Sequence, residues 1–545
     1  MATWYLSLFI GIIAFTIFKL RNVGRRPKGL PPGPPTLPLL GNLHQIPPAN
    51  AHVQFKKWAE EYGPIYSLVT GTKIMIVLNT DLAIKDLLDK RSNIYSSRPE
   101  MYISSLASGG LRMLLMPYGD TWRRVRKLFH GLLHLKASKS YVPYQDLEST
   151  SMMIALLEDP ERRVFDHIRR YTNSLTTQIV YGFRTPRIDD PKLLKLYQGI
   201  EEWAAVTGAG KAAVLDVFPI FRSLPAFIRP LYQHALELKE RTFELYKGHW
   251  LDAKNKVQTG TAKPCFCVGI ANAQESQGFD DDFAAMVAGT ALEASSDTTA
   301  STLAGFVLAI ILYPEAQKKA QRVIDEVCGE RFPSIEDMED PKAQYIRACV
   351  KENLRWMPTA ILGVPHAVIR DDEYMGYKIP KGAGVVYNAW AVHMDPQRHP
   401  NPRAFDPDRY MNDFASSTES AQQVDATKRD HYSFGAGRRI CEGMHVVDRS
   451  MFLVIARLMW AFNFEKAVDE ATGKEITPEQ DDLVGGFLMQ PRPFKLKISP
   501  RSESKAETVR QKWKECLALL DDGEQWRSVP EGMPFTAFEG DGKGE

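Results

Sequence analysis

The sequence contains no Asn-x-Ser/Thr sequon, which fits a chain that never meets the glycosylation machinery. Cysteine is scarce: six residues in 545, at 265, 267, 328, 349, 441 and 516. So few and so scattered, they exclude a disulfide framework, and the body is expected in a reducing compartment. An excess of one charge is also missing. Lys and Arg number 68 against 66 Asp and Glu, a net +2, so nothing points to a nucleic-acid partner. There is no internal repeat, and no Gly-x-Gly-x-x-Gly opens a helix, so flavin and dinucleotide fingerprints are absent. Beyond residue 20 no uncharged hydrophobic run is long enough to span a bilayer, which excludes a polytopic membrane protein. Hydrophobic residues at 44% and charged residues at 25% exclude a disordered or collagen-like chain.

What is present starts with one apolar run. Met1 to Phe18 carries no charge, and Lys19, Arg21, Arg25, Arg26 and Lys28 follow at once. About 20 helical residues cross a bilayer core of about 30 Å, and basic residues on the downstream flank place the following chain in the cytosol. A cleaved signal peptide would need a basic start and a small-x-small cleavage site; neither is seen. The reading is an uncleaved single-pass anchor over 1–20, which puts the protein in the endoplasmic reticulum membrane with its body in the cytosol. A basic, proline-rich linker follows over 21–50, with Pro31-Pro32-Gly33-Pro34-Pro35 as a stiff spacer. The body spans 51–500, and 501–545 is an amphipathic helix and tail.

Within the body, β-rich runs flank Thr70-Gly71 between Ile65 and Leu78 and predict a hairpin. The proline-free, Ala-rich segment Asp282–Leu312 ends at Tyr313-Pro314 and predicts a helix of about 45 Å. Residues 342–356 and 443–462 read as further helices. Short β-like pieces lie at Gly363–Val368 and Gly384–Tyr387, and a proline-rich loop at Asp395–Pro407. The fold class is mainly α with small β-sheets around one large core. In the tail, Ser504-x-x-Glu507 reads as a capping box. Val509, Trp513, Cys516, Leu517 and Leu520 share one helix face, and disorder is expected beyond Gly523.

The run Phe434-Gly435-Ala436-Gly437-Arg438-Arg439-Ile440-Cys441-Glu442-Gly443 carries the chemistry. Glycines let backbone approach a ligand closely. A cysteine at a helix start near arginines meets positive charge that favours thiolate. Backbone N–H groups aimed at its sulfur would tune a bound metal. No second cysteine or histidine stands at zinc spacing, whereas one thiolate in a Gly-rich pocket suits an axial position on haem iron. Cys265-x-Cys267 lies in a polar linker and reads as two free thiols. His393, His399 and His431 read as ordinary residues of the proline-rich stretch.

This run resembles the haem-binding loop of cytochrome P-450 enzymes, Phe-x-x-Gly-x-Arg-x-Cys-x-Gly, at every fixed position. The resemblance extends over about residues 30–500 with the family's signatures in order. It implies the family fold, a mostly helical triangular prism, and haem b with Cys441 as axial thiolate, Phe434 and Gly437 shaping the loop. Glu352-x-x-Arg355 and Arg409 of Pro407-Asp408-Arg409-Tyr410 resemble the family's structural triad. Ala294-Ser295-Ser296-Asp297-Thr298-Thr299 resembles the segment where the central helix opens over iron, with Ser295 in place of the usual glycine. There Asp297 feeds protons and Thr298 donates to bound dioxygen; the bare alternative is a helix weakened by Ser and Thr back-bonding. Trp122-x-x-x-Arg126 resembles the family's propionate pair, joined by Arg439 and by His366 in the strand after the Glu-x-x-Arg helix. Arg123, Arg124 and Lys127 form a basic face of the kind that receives the reductase.

The resemblance further implies a monooxygenase that uses O2 and electrons from NADPH through a separate reductase to hydroxylate a bulky hydrophobic molecule. The wording, including Ala107-Ser108-Gly109-Gly110-Leu111-Arg112, looks like fungal secondary metabolism. Substrate walls are expected from Pro99–Leu115, Glu201–Phe221, Met286–Leu292, Ala360–Val364 and Gly485–Leu488. Two rivals stay open: a haem-thiolate enzyme that couples substrate radicals without inserting oxygen, and a membrane-anchored haem protein without turnover.

Overall fold

The two β-rich runs pair as the alternation requires. Strands β1 (Ile65–Thr70) and β2 (Lys73–Leu78) are antiparallel, Ile65 opposite Leu78 and Thr70 opposite Lys73. The connecting pair is therefore Gly71-Thr72, one residue later than the sequence suggests, because Gly71 takes the positive φ of 54° that the turn needs. Strands β3 (His366–Ala367) and β4 (Gly384–Tyr387) complete this sheet in the order β1-β2-β4-β3, with β2 and β4 parallel. A second sheet joins β5 (Phe462–Val468) to β6 (Leu496–Pro500). This computed structural model describes residues 20–159, 163–208, 211–225, 227, 229–485 and 488–533. The anchor over 1–20, apart from Leu20, and the wall residue Phe487 lie outside the described residues.

Helices dominate the rest. Those that position the site are α1 (Asp120–Leu133), α2 (Val142–Glu158), α3 (Val164–Tyr181), α4 (Pro191–Thr207), α5 (Pro230–Gln258) and α6 (Asp281–Leu312). They continue with α7 (Pro314–Cys328), α8 (Gln344–Trp356), α9 (Met444–Ala461) and α10 (Glu503–Leu517). Helix α6 starts where Asp280 caps it, its carboxylate accepting from the Phe283 N–H at 2.8 Å. It stops at Tyr313 because Pro314 cannot continue it. Its 32 residues are packed on almost every side, against α3 and α5 among others. Among the described residues it is the one helix long and apolar enough to cross a membrane, and its apolar stretch is 83% buried inside the protein. It is a core helix.

The tail departs from its sequence reading. Ser502, not Ser504, caps α10 by accepting from the Lys505 N–H at 3.2 Å, because the chain is still extended at Ser502. Ser504 instead donates to Glu330 at 2.7 Å. Residues 524–533 are ordered rather than loose. Trp526 is buried and donates to Gln178 at 2.6 Å, and Gln525 accepts from the Arg184 N–H at 2.7 Å. A lone tryptophan among polar residues gave no periodic signal for this docking.

Candidate haem-thiolate site

The loop before α9 is shaped by its glycines. Gly437 has φ 61°, and a Cβ there would sit 1.9 Å from the Leu88 carbonyl oxygen, so no other residue fits. Its N–H donates to Asp89 at 2.5 Å. The Cys441 N–H donates to the Phe434 carbonyl at 2.9 Å, which closes the loop beneath the sulfur. Burial pushes the Cys441 thiol up, while the Gly443 N–H and the Arg126 guanidinium pull it back. The nearby arginine and the loop N–H favour thiolate as expected, but removal from water outweighs them. A bound metal cation would supply the missing charge, since a coordinating thiol is deprotonated outright.

Around the loop, cations collect. Arg126 pairs with Glu442 and donates to the Ile440 carbonyl at 2.6 Å. Arg439 donates to the carbonyls of Ser96 at 2.8 Å and Met116 at 2.7 Å, and lies 4.2 Å over the Trp122 ring. Arg98, which sequence reasoning did not single out, donates to the carbonyls of Leu114, Val364 and Pro365 at 2.7–2.9 Å. Burial, then repulsion from Arg98 and Arg126, lowers Arg439 to about 8, and burial lowers Arg98 to about 10. His366, buried beside them, bonds the Tyr95 carbonyl through Nδ1 at 2.7 Å and is held well below the ordinary histidine range by burial and Arg98. Such a cluster, with Glu442 as the carboxylate paired to Arg126, fits the two carboxylates of a porphyrin.

Beneath the loop, Glu352 and Arg355 pair through two parallel bonds of 2.7 Å, both fully buried. Arg409 lies 3.6 Å from Glu352, whose carboxylate also accepts from the Asp406 N–H at 2.8 Å. Arg355 also donates to the carbonyls of His393, Pro402 and Ala404, which fixes the proline-rich stretch. His393 passes the restraint on: Nδ1 donates to the Arg355 carbonyl at 3.0 Å, and Nε2 accepts from the Tyr432 N–H at 2.8 Å. That neutral tautomer ties the triad to the segment leading into Phe434. No cluster of three metal-ligating side chains occurs among the described residues.

Above the loop, α6 exposes Ala294 and Ser295 in the middle of a buried helix. The helix stays continuous here. The opening implied by resemblance is not seen; the back-bonding of the bare alternative is, with the Thr298 hydroxyl donating to the Ala294 carbonyl at 2.6 Å and Thr302 to the Thr298 carbonyl at 2.8 Å. Asp297, one residue earlier, is 7% exposed. Burial raises it to about 6; Arg169 works against this, and Glu201 and Glu293 work with it. Arg169 pairs with the exposed Glu201 at 3.2 Å, so charged groups lead from Asp297 to solvent.

A family model described as cytochrome P-450 matches residues 31–498. The chain belongs to the cytochrome P-450 family. It is 63% identical over 540 residues to cytochrome P-450 monooxygenase fsoB of Humicola fuscoatra, covering 99% of this chain and 100% of that one. It is 51% identical to cytochrome P-450 monooxygenase virE of Hypocrea virens, covering 97% and 96%. A zebra fish cytochrome P-450 solved with progesterone has the same fold, with TM-score 0.69 and 21% identity, over 82% of this chain and 99% of that one. The protein is a haem monooxygenase, and as in the family its haem is carried on a cysteine thiolate, with electrons from NADPH through a reductase.

In this cytochrome P-450, residues of three of the five segments expected to wall the substrate, Met101, Leu106, Leu114, Leu115, Trp203 and Val364, form one apolar cluster, whereas Met286, Leu292 and Ile361 belong to the main core. Cys265 and Cys267 are buried free thiols.

Proposed function

We propose that Cys441 holds the haem iron of a fungal secondary-metabolism monooxygenase acting on a bulky, mostly hydrophobic molecule. The observation that carries this reading is the Gly-rich loop around Cys441, with an excess of guanidinium charge beside it. A back-bonded, solvent-linked stretch of α6 accompanies it in the chain. Bound haem supplies the activation of dioxygen. The chain's own residues do the rest. Arg98, Arg126, Arg439 and Trp122, with His366, receive the propionates. Glu352, Arg355 and Arg409 hold the proline-rich stretch so that the loop keeps its shape. Thr298 presents a hydroxyl, and Asp297, half-protonated near pH 6, takes protons from the Arg169–Glu201 side and passes them inward.

Membrane attachment is part of the same proposal. Ile220, Phe221, Leu224 and Phe227 are exposed, as are Leu37, Leu39 and Leu40. The β1–β2 turn brings the two groups together: the Gly71 N–H donates to the Leu40 carbonyl, and Thr72 donates to the Val217 carbonyl at 2.6 Å. The Gly24 N–H donates to the Gly71 carbonyl, so the chain leaving residues 1–20 arrives at the same edge. An anchor over 1–20, a linker over 21–50 and a cytosolic body facing the endoplasmic reticulum membrane follow.

The test is expression in microsomes with a reductase. The ferrous–CO complex should show the thiolate band in wild type and lose it in Cys441→Ser; an unchanged band in the variant overturns the assignment. Feeding metabolite libraries under ¹⁸O₂ should give labelled product. Unlabelled, coupled product would favour the radical-coupling rival, and no product at all would favour the protein without turnover.

A further inference from the structure

A buried ion pair joins the segment 109–112 to the middle of α6, and the machinery described above does not use it. Gly109 and Gly110 both take positive φ, 60° and 73°, and turn the chain so that Arg112 enters the protein. Its guanidinium lies 4.2 Å over the Trp203 ring and donates from Nη2 to Glu293 at 2.5 Å. The two side chains are 9% and 13% exposed. Glu293 directly precedes Ala294 and Ser295, the exposed positions in mid-α6. Arg112 directly precedes the segment 113–116 whose carbonyls hold Arg98 and Arg439. The pair therefore spans from the segment whose carbonyls hold Arg98 and Arg439 to the middle of α6.

Burying such a pair is a poor way to stabilise a fold, since desolvation of both charges offsets their attraction unless every remaining donor and acceptor is met. Among the described residues, the hydrogen bond given for the pair runs from Arg112 Nη2 to Glu293, which leaves the other guanidinium N–H groups open. Two further polar groups stand beside the pair. The Tyr246 hydroxyl, 1% exposed, lies against the Glu293 carboxylate, and the Thr290 hydroxyl, one turn before Glu293, is buried without a hydrogen bond. Gly289 leaves the space for the Tyr246 ring, since a Cβ there would lie 2.1 Å from it. Buried polar groups are normally paired, so an unpaired hydroxyl beside an ion pair with open donors marks a place built for a polar guest.

We propose that Arg112 and Glu293 form a polar anchor in the substrate pocket that takes a hydroxyl group of a neutral substrate. The free guanidinium N–H groups donate to the hydroxyl oxygen, and the second carboxylate oxygen of Glu293 accepts its proton. The anchor is neutral as a pair, so it selects against an anion: a carboxylate brought to Arg112 meets the charge of Glu293. The apolar cluster of Met101, Leu106, Leu114, Leu115 and Val364 then covers the rest of the molecule, and the anchored hydroxyl decides which carbon faces the iron.

The inference rests on the reading of the Cys441 pocket, whose own failure would appear separately in the ferrous–CO spectra. The experiment titrates the full-length holoenzyme in membranes with 2-naphthol, naphthalene and 2-naphthoate, following the Soret shift. Wild type should bind naphthol about tenfold or more tightly than naphthalene, the range of a hydrogen bond to a charged group, and naphthoate no better than naphthalene. In the double variant Arg112→Met/Glu293→Leu the preference for naphthol should vanish while naphthalene affinity holds, because apolar residues of similar volume replace a buried pair well. If that variant fails to hold haem, Glu293→Gln carries the comparison and must lower the naphthol preference. A wild type with no preference for naphthol overturns the proposal. So does a preference that survives in the variant tested, or naphthoate binding more tightly than naphthol.

Discussion

At Asp297 the environment sets both chemistry and stability. Burial raises its carboxyl to about 6 from the ordinary 3.8, so the folded state binds this proton more tightly than the unfolded chain does. The resulting stabilisation is complete below about pH 4 and is lost as pH rises through 6. Above that, the buried charge costs about 3 kcal/mol, with the attraction of Arg169 already counted. Asp297→Asn is expected to melt at a higher temperature than wild type at pH 7.5 and at the same temperature near pH 4. Its product yield per NADPH should fall. Thermal melts at the two pH values check the first claim and coupling assays the second. Cys441, Glu352, Arg355 and Thr298 were legible in the sequence because fixed short spacings surround them. Arg98, Arg112 and Glu293 were not. Arg112 meets Glu293 across 181 positions and Arg98 meets Val364 across 266, and no local pattern records such a meeting.

Helix α6 was legible as an element because an apolar, proline-free run bounded by Asp280 and Pro314 has few other ways to fold. The sequence left two readings of its mid-section hydroxyls, relay and back-bonding, and the backbone carbonyl four residues earlier decides for the second. The Thr298 hydroxyl is engaged with the Ala294 carbonyl, so presenting its proton inward requires that bond to be exchanged for one with the guest. Thr298→Ala removes the hydroxyl and leaves the Ala294 carbonyl facing the pocket. The expected outcome is retained substrate binding, a retained thiolate band, and NADPH electrons diverted to hydrogen peroxide, with product formation reduced about 10²-fold or less. The ratio of product to NADPH, with peroxide counted alongside, measures it. An unaltered ratio would remove Thr298 from proton delivery. The cap of α10 was misplaced by two residues because Ser502 and Ser504 are equally good candidates in sequence, and only the extended backbone at Ser502 chooses between them.

Over the whole molecule, apolar exposure is concentrated where the chain enters from residues 1–20. Deleting residues 1–20 is expected to release only part of the protein from membranes, with haem content unchanged. Adding Ile220→Glu and Phe227→Glu should release most of the remainder, because both side chains stand clear of the body, 76% and 85% exposed. Sedimentation of microsomes with and without the substitutions decides it; full retention of the combined variant would contradict a second contact surface. The opposite end of the chain has a different consequence, one of timing. Glu148 is fully buried and accepts from Arg170, Gln178 and Arg184, and this knot is closed from outside by Gln525 on Arg184 and Trp526 on Gln178. Gln178 and Trp526 are 348 positions apart. At about 5–20 residues per second on the ribosome, the early half of that knot waits roughly 17–70 s for its last member. Until the final residues emerge, nascent chains carry an uncovered buried acid with its arginines, and a stop codon before Gln525 leaves them so for good.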